Sequence, residues 1–147
     1  MIIFKTVSAI QTKKLASLVA QFLNGGEVIA LNGGLGAGKT TFTQGLALAL
    51  GVGDRVNSPT FNIVKEYNGL RFKLYHIDMY RIEDSVELLE LGIEDCLVSD
   101  SITVIEWNKL NDIDAKIIDI NITVTDSGDR IFTVDGLDFE RIDNRRN

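Results

Sequence analysis

The chain reads as one α/β domain spanning residues 1–147, with a mixed, mostly parallel central sheet, flanking helices and antiparallel hairpins. Three observations predict that class. The run Glu27-Val28-Ile29-Ala30-Leu31-Asn32 has the continuous hydrophobicity of a strand buried on both faces, and a glycine-rich stretch joins it to a helix-forming segment at Lys39. A second apolar run, residues 102–106, ends in a carboxylate, Glu106. Two pairs of strand-like runs, 62–67 with 70–76 and 116–125 with 130–134, surround turn residues and supply the antiparallel pieces.

Each element has a local reason. Ser8 followed by Gln11 has the form of a capping box, and Ile10, Leu15, Leu18, Val19, Phe22 and Leu23 recur at helical spacing, which predicts a helix over 9–23. Asn24-Gly25-Gly26 supplies its left-handed stop. Phe42, Leu46 and Leu50 carry the next helix from Lys39 to Gly51. The polar connection 52–57 leads to Ser58-Pro59-Thr60-Phe61, where the only proline fixes the local path; this suits a loop that presents Ser58 or Thr60 to a ligand, and an ordinary turn has the same composition. Asn68-Gly69 is the strongest short-range hairpin signal in the chain. On the strand that follows, His76, Asp78 and Tyr80 share one face. Residues 83–91 predict a short acidic helix with Leu88, Leu89 and Leu91 on its apolar side and Gly92 as its stop, and 93–98 a further short helical or irregular piece. Ile118, Ile120, Ile122 and Val124 alternate with polar neighbours, as in a half-exposed antiparallel edge. Residues 139–147 make at most one short helix, and no repeat, linker or low-complexity segment interrupts the chain.

Between the first apolar strand and its helix, Gly33-Gly34-Leu35-Gly36-Ala37-Gly38-Lys39-Thr40 spells G-x-x-x-x-G-K-T. At ordinary residue frequencies the pattern arises by chance in only about 0.5% of chains this long, and the strand and helix around it make chance rarer still. The chemistry explains the residue types. Backbone N–H groups must close around a phosphate chain, glycines permit the approach, and the helix N-terminus is electropositive. The predicted fold is therefore a three-layer P-loop NTPase-like one. Gly33, Gly36, Ala37, Gly38, Lys39, Thr40 and Thr41 are the expected nucleotide contacts, with Lys39 on the outer phosphates and the Thr40 hydroxyl on Mg²⁺. Glu106 stands where an acidic strand end completes a Mg²⁺ shell, or else is a surface Glu just past the core. Asp78 has two readings as well, a metal or water partner and a hydrogen-bonded strand end. Trp107 has three: it stacks, gates the site, or packs.

Composition bounds the function classes. A net charge of −6 argues against holding nucleic acid alone, since backbone affinity comes from clustered Lys and Arg; Arg141, Arg145 and Arg146 read as a solvated end or a small contact patch. The single cysteine, Cys96, excludes an internal disulfide and reads as a small core residue. Without a membrane-length apolar run or a basic leader, a cytoplasmic protein is expected. A GTPase is disfavoured: in Asn108-Lys109-Leu110-Asn111 an Asn stands where guanine reading needs Asp, and none of the thirteen glycines has an Asp three residues before it. A small-molecule kinase remains the alternative, although only Arg55, Arg71 and Arg81 lie between the loop and the final hairpin and no lid is visible.

Taken together, G-x-L-G-A-G-K-T-T-F from Gly33, S-P-T-F from Ser58, H-x-D-x-Y-R from His76, E-L-x-x-L-G-I from Glu87 and E-W at Glu106-Trp107 closely resemble the TsaE (YjeE) family, in order and with compatible spacing. The resemblance implies an ATPase that supports threonylcarbamoyladenosine modification of tRNA beside the anticodon. It implies ATP and Mg²⁺ as ligands and the TsaB and TsaD proteins as partners, with tRNA met only through them, and slow hydrolysis raised by partner binding. By position it assigns Lys39, Asp78 and Glu106 to catalysis, Thr40, Glu106 and Asp78 to the metal, residues 58–61 to a switch-like loop, and Arg130 to a nucleotide contact. A nucleotide-dependent assembly factor without a catalytic role is the rival reading. One departure is plain: Gly34 stands where the family usually carries Asp or Glu.

Overall fold

In the computed structural model, residues 1–59, 63–90, 92–110 and 113–138 are described. The elements run β1 (Ile2–Thr6), α1 (Ala9–Ala20), β2 (Val28–Asn32), α2 (Lys39–Ala49), β3 (Val64–Asn68), β4 (Lys73–Asp78), α3 (Ser85–Glu90), a 3₁₀ turn (Ile93–Cys96), β5 (Ser101–Glu106), β6 (Ile117–Val124) and β7 (Arg130–Asp135). All seven strands join one sheet in the order β1-β7-β6-β2-β5-β4-β3. The central β6-β2-β5-β4 pairings are parallel, and the outer ones, β1 with β7, β7 with β6 and β4 with β3, are antiparallel.

The two faces are covered differently. Leu15, Val19, Phe42 and Leu46 of α1 and α2 pack on Ile29, Leu31, Val104, Ile118 and Ile120. On the opposite face Val28, Ile77 and Ile105 lie against Met79, Ile82 and Ile93, so loops and the 3₁₀ turn form the third layer. β2 and β5 are covered on both sides, which is why they read as unbroken apolar runs.

Local chemistry sets the boundaries. Ser8 Oγ accepts from the Gln11 amide at 3.2 Å, while the Gln11 side chain accepts from Val7 N–H at 2.8 Å rather than from Ser8, a capping box displaced by one residue. The helix ends at Ala20, short of the expected Leu23, and Ile10 on its apolar list is exposed.

Three expectations need correction. β1 is a strand that the sequence reading did not assign; it forms the sheet edge beside β7, and buried Thr6 Oγ1 meets Thr12 Oγ1 of α1 at 2.8 Å. β6 is accordingly no edge, since β2 and β7 flank it, and its alternation reflects one face under α1 and α2 and one half-open face. The first hairpin does not close on a two-residue Asn68-Gly69 turn: Asn68 pairs with Lys73, and Gly69 N–H bonds to Phe72 O. A Cβ on Gly69 would lie 2.7 Å from Leu50 O, so the glycine serves the approach to the end of α2. The apolar side expected of Leu88, Leu89 and Leu91, the tail 139–147 and its three arginines lie outside the described residues or side chains.

Gly45 marks where α1 and α2 touch most closely: a Cβ there would sit 2.6 Å from Lys13 Cα. Gly45→Ala gains about 1 kcal/mol of helix propensity and loses about 3 kcal/mol to overpacking against backbone. A net loss of about 2 kcal/mol is therefore expected, measured as a lowered urea midpoint with an unchanged slope.

Candidate functional site

The site lies at the carboxyl ends of the parallel strands, where ligands meet open α/β sheets. β2 delivers the chain into the loop 33–38, and α2 begins at Lys39. Gly38 is left-handed at φ 108°, a conformation that favours glycine, and it starts the helix with no side-chain cap. Ala37 N–H bonds to Gly34 O at 3.1 Å, which tightens the loop. The first amides of α2 have no intrahelical acceptor. Thr40 and Thr41 are half-buried in the first turn, and Leu35 at the tip is exposed. Nothing lies within 4 Å of a Cβ built on Gly34, so a side chain can branch from this position into open space.

Lys39 is only 7% exposed. Its ammonium lies 3.7 Å from Glu106 Oε1 and 4.4 Å from the centroid of the Trp107 ring. Glu106, at the end of β5, is 3% exposed, and its other oxygen, Oε2, is 2.5 Å from His76 Nε2. The carboxylate thus sits between a buried cation and a buried ring, and is no surface Glu. Asp78 ends β4 directly beside Glu106 in register. Its Oδ1 accepts from Tyr80 N–H at 2.9 Å, so the hydrogen-bonded strand-end reading describes its contact. His76 and Asp78 share a face as expected, but Tyr80 lies beyond the strand and its exposed ring packs on Trp107 at 5.1 Å.

Arg130, 94 residues from the loop, reaches it from the start of β7: Nη2 donates to Gly36 O at 3.2 Å and Nη1 to Gly128 O at 2.5 Å. Phe132 two residues on meets Phe42 of α2 with ring centroids 5.8 Å apart, so the last hairpin is packed to the loop's helix. Of the sequence-predicted residues, the structure thus gathers Gly33, Gly36, Ala37, Gly38, Lys39, Thr40, Thr41, Asp78, Glu106 and Arg130 at one end of the sheet. Ser58 and Pro59 are described, whereas Thr60 and Phe61 of the switch-like loop are not.

Two non-glycine residues flank this end in left-handed backbone, Ile63 at φ 56° and Trp107 at φ 57°. Each costs on the order of 1 kcal/mol or more and persists only where its surroundings hold it. Ile63 N–H bonds to Pro59 O and Ile63 O accepts from Asp78 N–H, while Trp107 follows Glu106, whose carbonyl accepts from Met79 N–H. Lys109, in the segment that superficially matched a guanine reader, donates instead to the carbonyls of Tyr80 and Ile82 and ties down the chain after β4.

The donor set fits a nucleoside triphosphate with Mg²⁺. Among the described residues no three His, Cys, Asp or Glu side chains form a metal cage; Mg²⁺ on phosphates needs only one or two carboxylates with waters. Burial pushes the Cys96 thiol up, with Asp95 adding to it, and Cys96 lies outside this cluster. Fold and loop together define a protein of the phosphate-loop NTPase-like class.

A family model described as threonylcarbamoyl adenosine biosynthesis protein TsaE matches residues 6–132. The tRNA threonylcarbamoyladenosine biosynthesis protein TsaE of Bacillus subtilis is 47% identical over 73% of this chain and 66% of its own length. The TsaE protein of Treponema pallidum is 36% identical over 86% of this chain and 95% of its own. The crystal structure of YdiB from Bacillus subtilis superposes with a TM-score of 0.78 at 31% identity, covering 99% of this chain and 96% of that one. The chain belongs to the TsaE family.

Two measurements check this geometry. Lys39→Ala uncovers one face of Trp107, the only tryptophan, so its emission is expected to shift to longer wavelength with the far-ultraviolet circular dichroism unchanged; an unmoved spectrum contradicts the contact. Iodoacetamide at neutral pH is expected to leave Cys96 unmodified in the folded protein and to label it in denaturant.

Proposed function

We propose that this protein binds and hydrolyses ATP with Mg²⁺ and acts on the TsaB–TsaD pair to sustain threonylcarbamoyladenosine modification of tRNA next to the anticodon. The observation that carries the proposal is the convergence of buried Lys39 and Glu106 at the mouth of the loop, 3.7 Å apart. Phosphoryl transfer to water asks mainly for positioning and charge neutralisation, and both groups are placed by rigid elements, the start of α2 and the end of β5.

In this reading the amides from Gly33 to Thr41 cradle the phosphates, Lys39 neutralises the outer ones, and Arg130 adds a second cation from the opposite side of the loop. Thr40 and Glu106 would hold the metal, and Asp78, beside Glu106 in register, would assist the metal or water. When bound, Mg²⁺ screens the phosphate oxygens and spreads the charge that develops on them. Lys39 must then divide its attraction between Glu106 and the phosphates, so ligand binding loosens the pair. Slow hydrolysis by the isolated chain, raised by partner binding, is the kinetic expectation.

The negative net charge supports contact with tRNA through partner proteins. Among the described residues no helix is long and apolar enough to cross a membrane, in keeping with work in the cytoplasm.

Lys39→Ala is expected to lower ATP turnover by at least about 10²-fold, the scale of losing one preorganised charge-stabilising group. Phosphate release measured with and without purified TsaB and TsaD separates the readings: stimulation supports the ATPase, binding without hydrolysis supports an assembly factor, and phosphate recovered on a small molecule supports a kinase. Undiminished turnover in Lys39→Ala overturns the site assignment.

A further inference from the structure

We infer that His76 is a positioning residue for Glu106: through Nε2–H it holds one carboxylate oxygen so that the other faces Lys39 and the loop mouth. The inference rests on the reading of Glu106 as the carboxylate on the metal side of the site. In the parallel pairing of β4 with β5, His76 lies opposite Val104 and Asp78 opposite Glu106, which places His76 diagonally beneath Glu106 on the same sheet face. The imidazole is 0% exposed, 2.5 Å from Oε2, and Oε1 is the oxygen that lies 3.7 Å from Lys39 Nζ. The two oxygens therefore have separate partners, one structural and one in the site.

The ring's other nitrogen fixes which proton does this. His76 Nδ1 is buried with no hydrogen-bond partner among the described residues. A proton there would be an orphaned buried donor, whereas a bare Nδ1 leaves only an acceptor unfilled. The tautomer that fits has its proton on Nε2, shared with Glu106. Ring–carboxylate pairs of this kind commonly orient a carboxylate or imidazole near a metal, and losing the outer partner typically weakens metal affinity or activity by about 10- to 100-fold.

Packing alone does not account for the arrangement, because a residue kept only to fill the core needs no polar atom aimed at a carboxylate. His76→Leu fills the space without a donor, and His76→Gln places an amide N–H near the position of Nε2. His76→Leu is expected to raise the Mg²⁺ concentration for half-maximal binding of a fluorescent ADP by about 10-fold or more, to leave ADP binding in EDTA within about 2-fold because the loop amides are untouched, and to lower turnover; His76→Gln is expected to restore most of the loss. Equal Mg²⁺ dependence in all three proteins overturns the inference.

A second readout needs neither turnover nor metal. His76 is the only histidine, so the ring nitrogen spectrum of uniformly labelled apo-protein reports one tautomer without assignment. An Nε2–H pattern that moves in Glu106→Gln supports the pairing. An Nδ1–H pattern, or one blind to Glu106→Gln, overturns it, even if His76→Leu fails to fold. A wild-type protein that binds nucleotide with Mg²⁺ yet never hydrolyses it, alone or with partners, sinks the ATPase reading and leaves these two arms intact as tests of His76.

Discussion

Glu106 carries a negative charge at the end of a strand covered on both sides, and a charge buried so deeply survives only with partners. Lys39 supplies opposite charge and His76 a hydrogen bond, and each is placed by a different element, α2 and β4. Removing Lys39 would leave the carboxylate without its counter-charge, a change that costs about 3–5 kcal/mol in buried ion pairs elsewhere, and removing His76 would cost it a buried hydrogen bond, about 1–3 kcal/mol. α2, β4 and β5 thereby meet at one side chain.

Strain gathers at the same place. Ile63, just before β3, and Trp107, just after β5, are both bulky and hold left-handed backbone; Ile63 is tied by hydrogen bonds to Pro59 and Asp78, and Trp107 follows Glu106, whose carbonyl accepts from Met79 N–H. Trp107 spends its conformation on covering Lys39, with Tyr80 behind it.

Much of this was legible beforehand because local chemistry suffices for it. The loop motif needs glycines at fixed offsets, and β2 and β5 announce themselves through burial on both faces. Glu106 was legible as the carboxylate that ends an apolar run, whereas Asp78 was reached through strand alternation and the family resemblance, with a hydrogen-bonded strand end as its other reading. The pairing of His76 with Glu106 was not, since the residues are 30 apart and meet only through the parallel register of β4 with β5. β1 was missed for a related reason: Ile2-Ile3-Phe4-Lys5-Thr6 alternates weakly, and it becomes a strand because β7 offers a ladder. The same unseen partner turned β6 from an expected edge into an interior strand.

The sequence by itself determined the order strand, loop, helix, the glycine-rich G-x-x-x-x-G-K-T loop of residues 33–40, and the family, because these depend on spacings within a few residues. Tertiary structure alone decided which distant groups face that loop. Arg130 reaches Gly36 across 94 residues, Lys109 anchors carbonyls rather than a base, and Glu106 is buried between a lysine and a histidine. Those choices follow from strand order, which is set by which faces must be covered, and no window of sequence contains that sum.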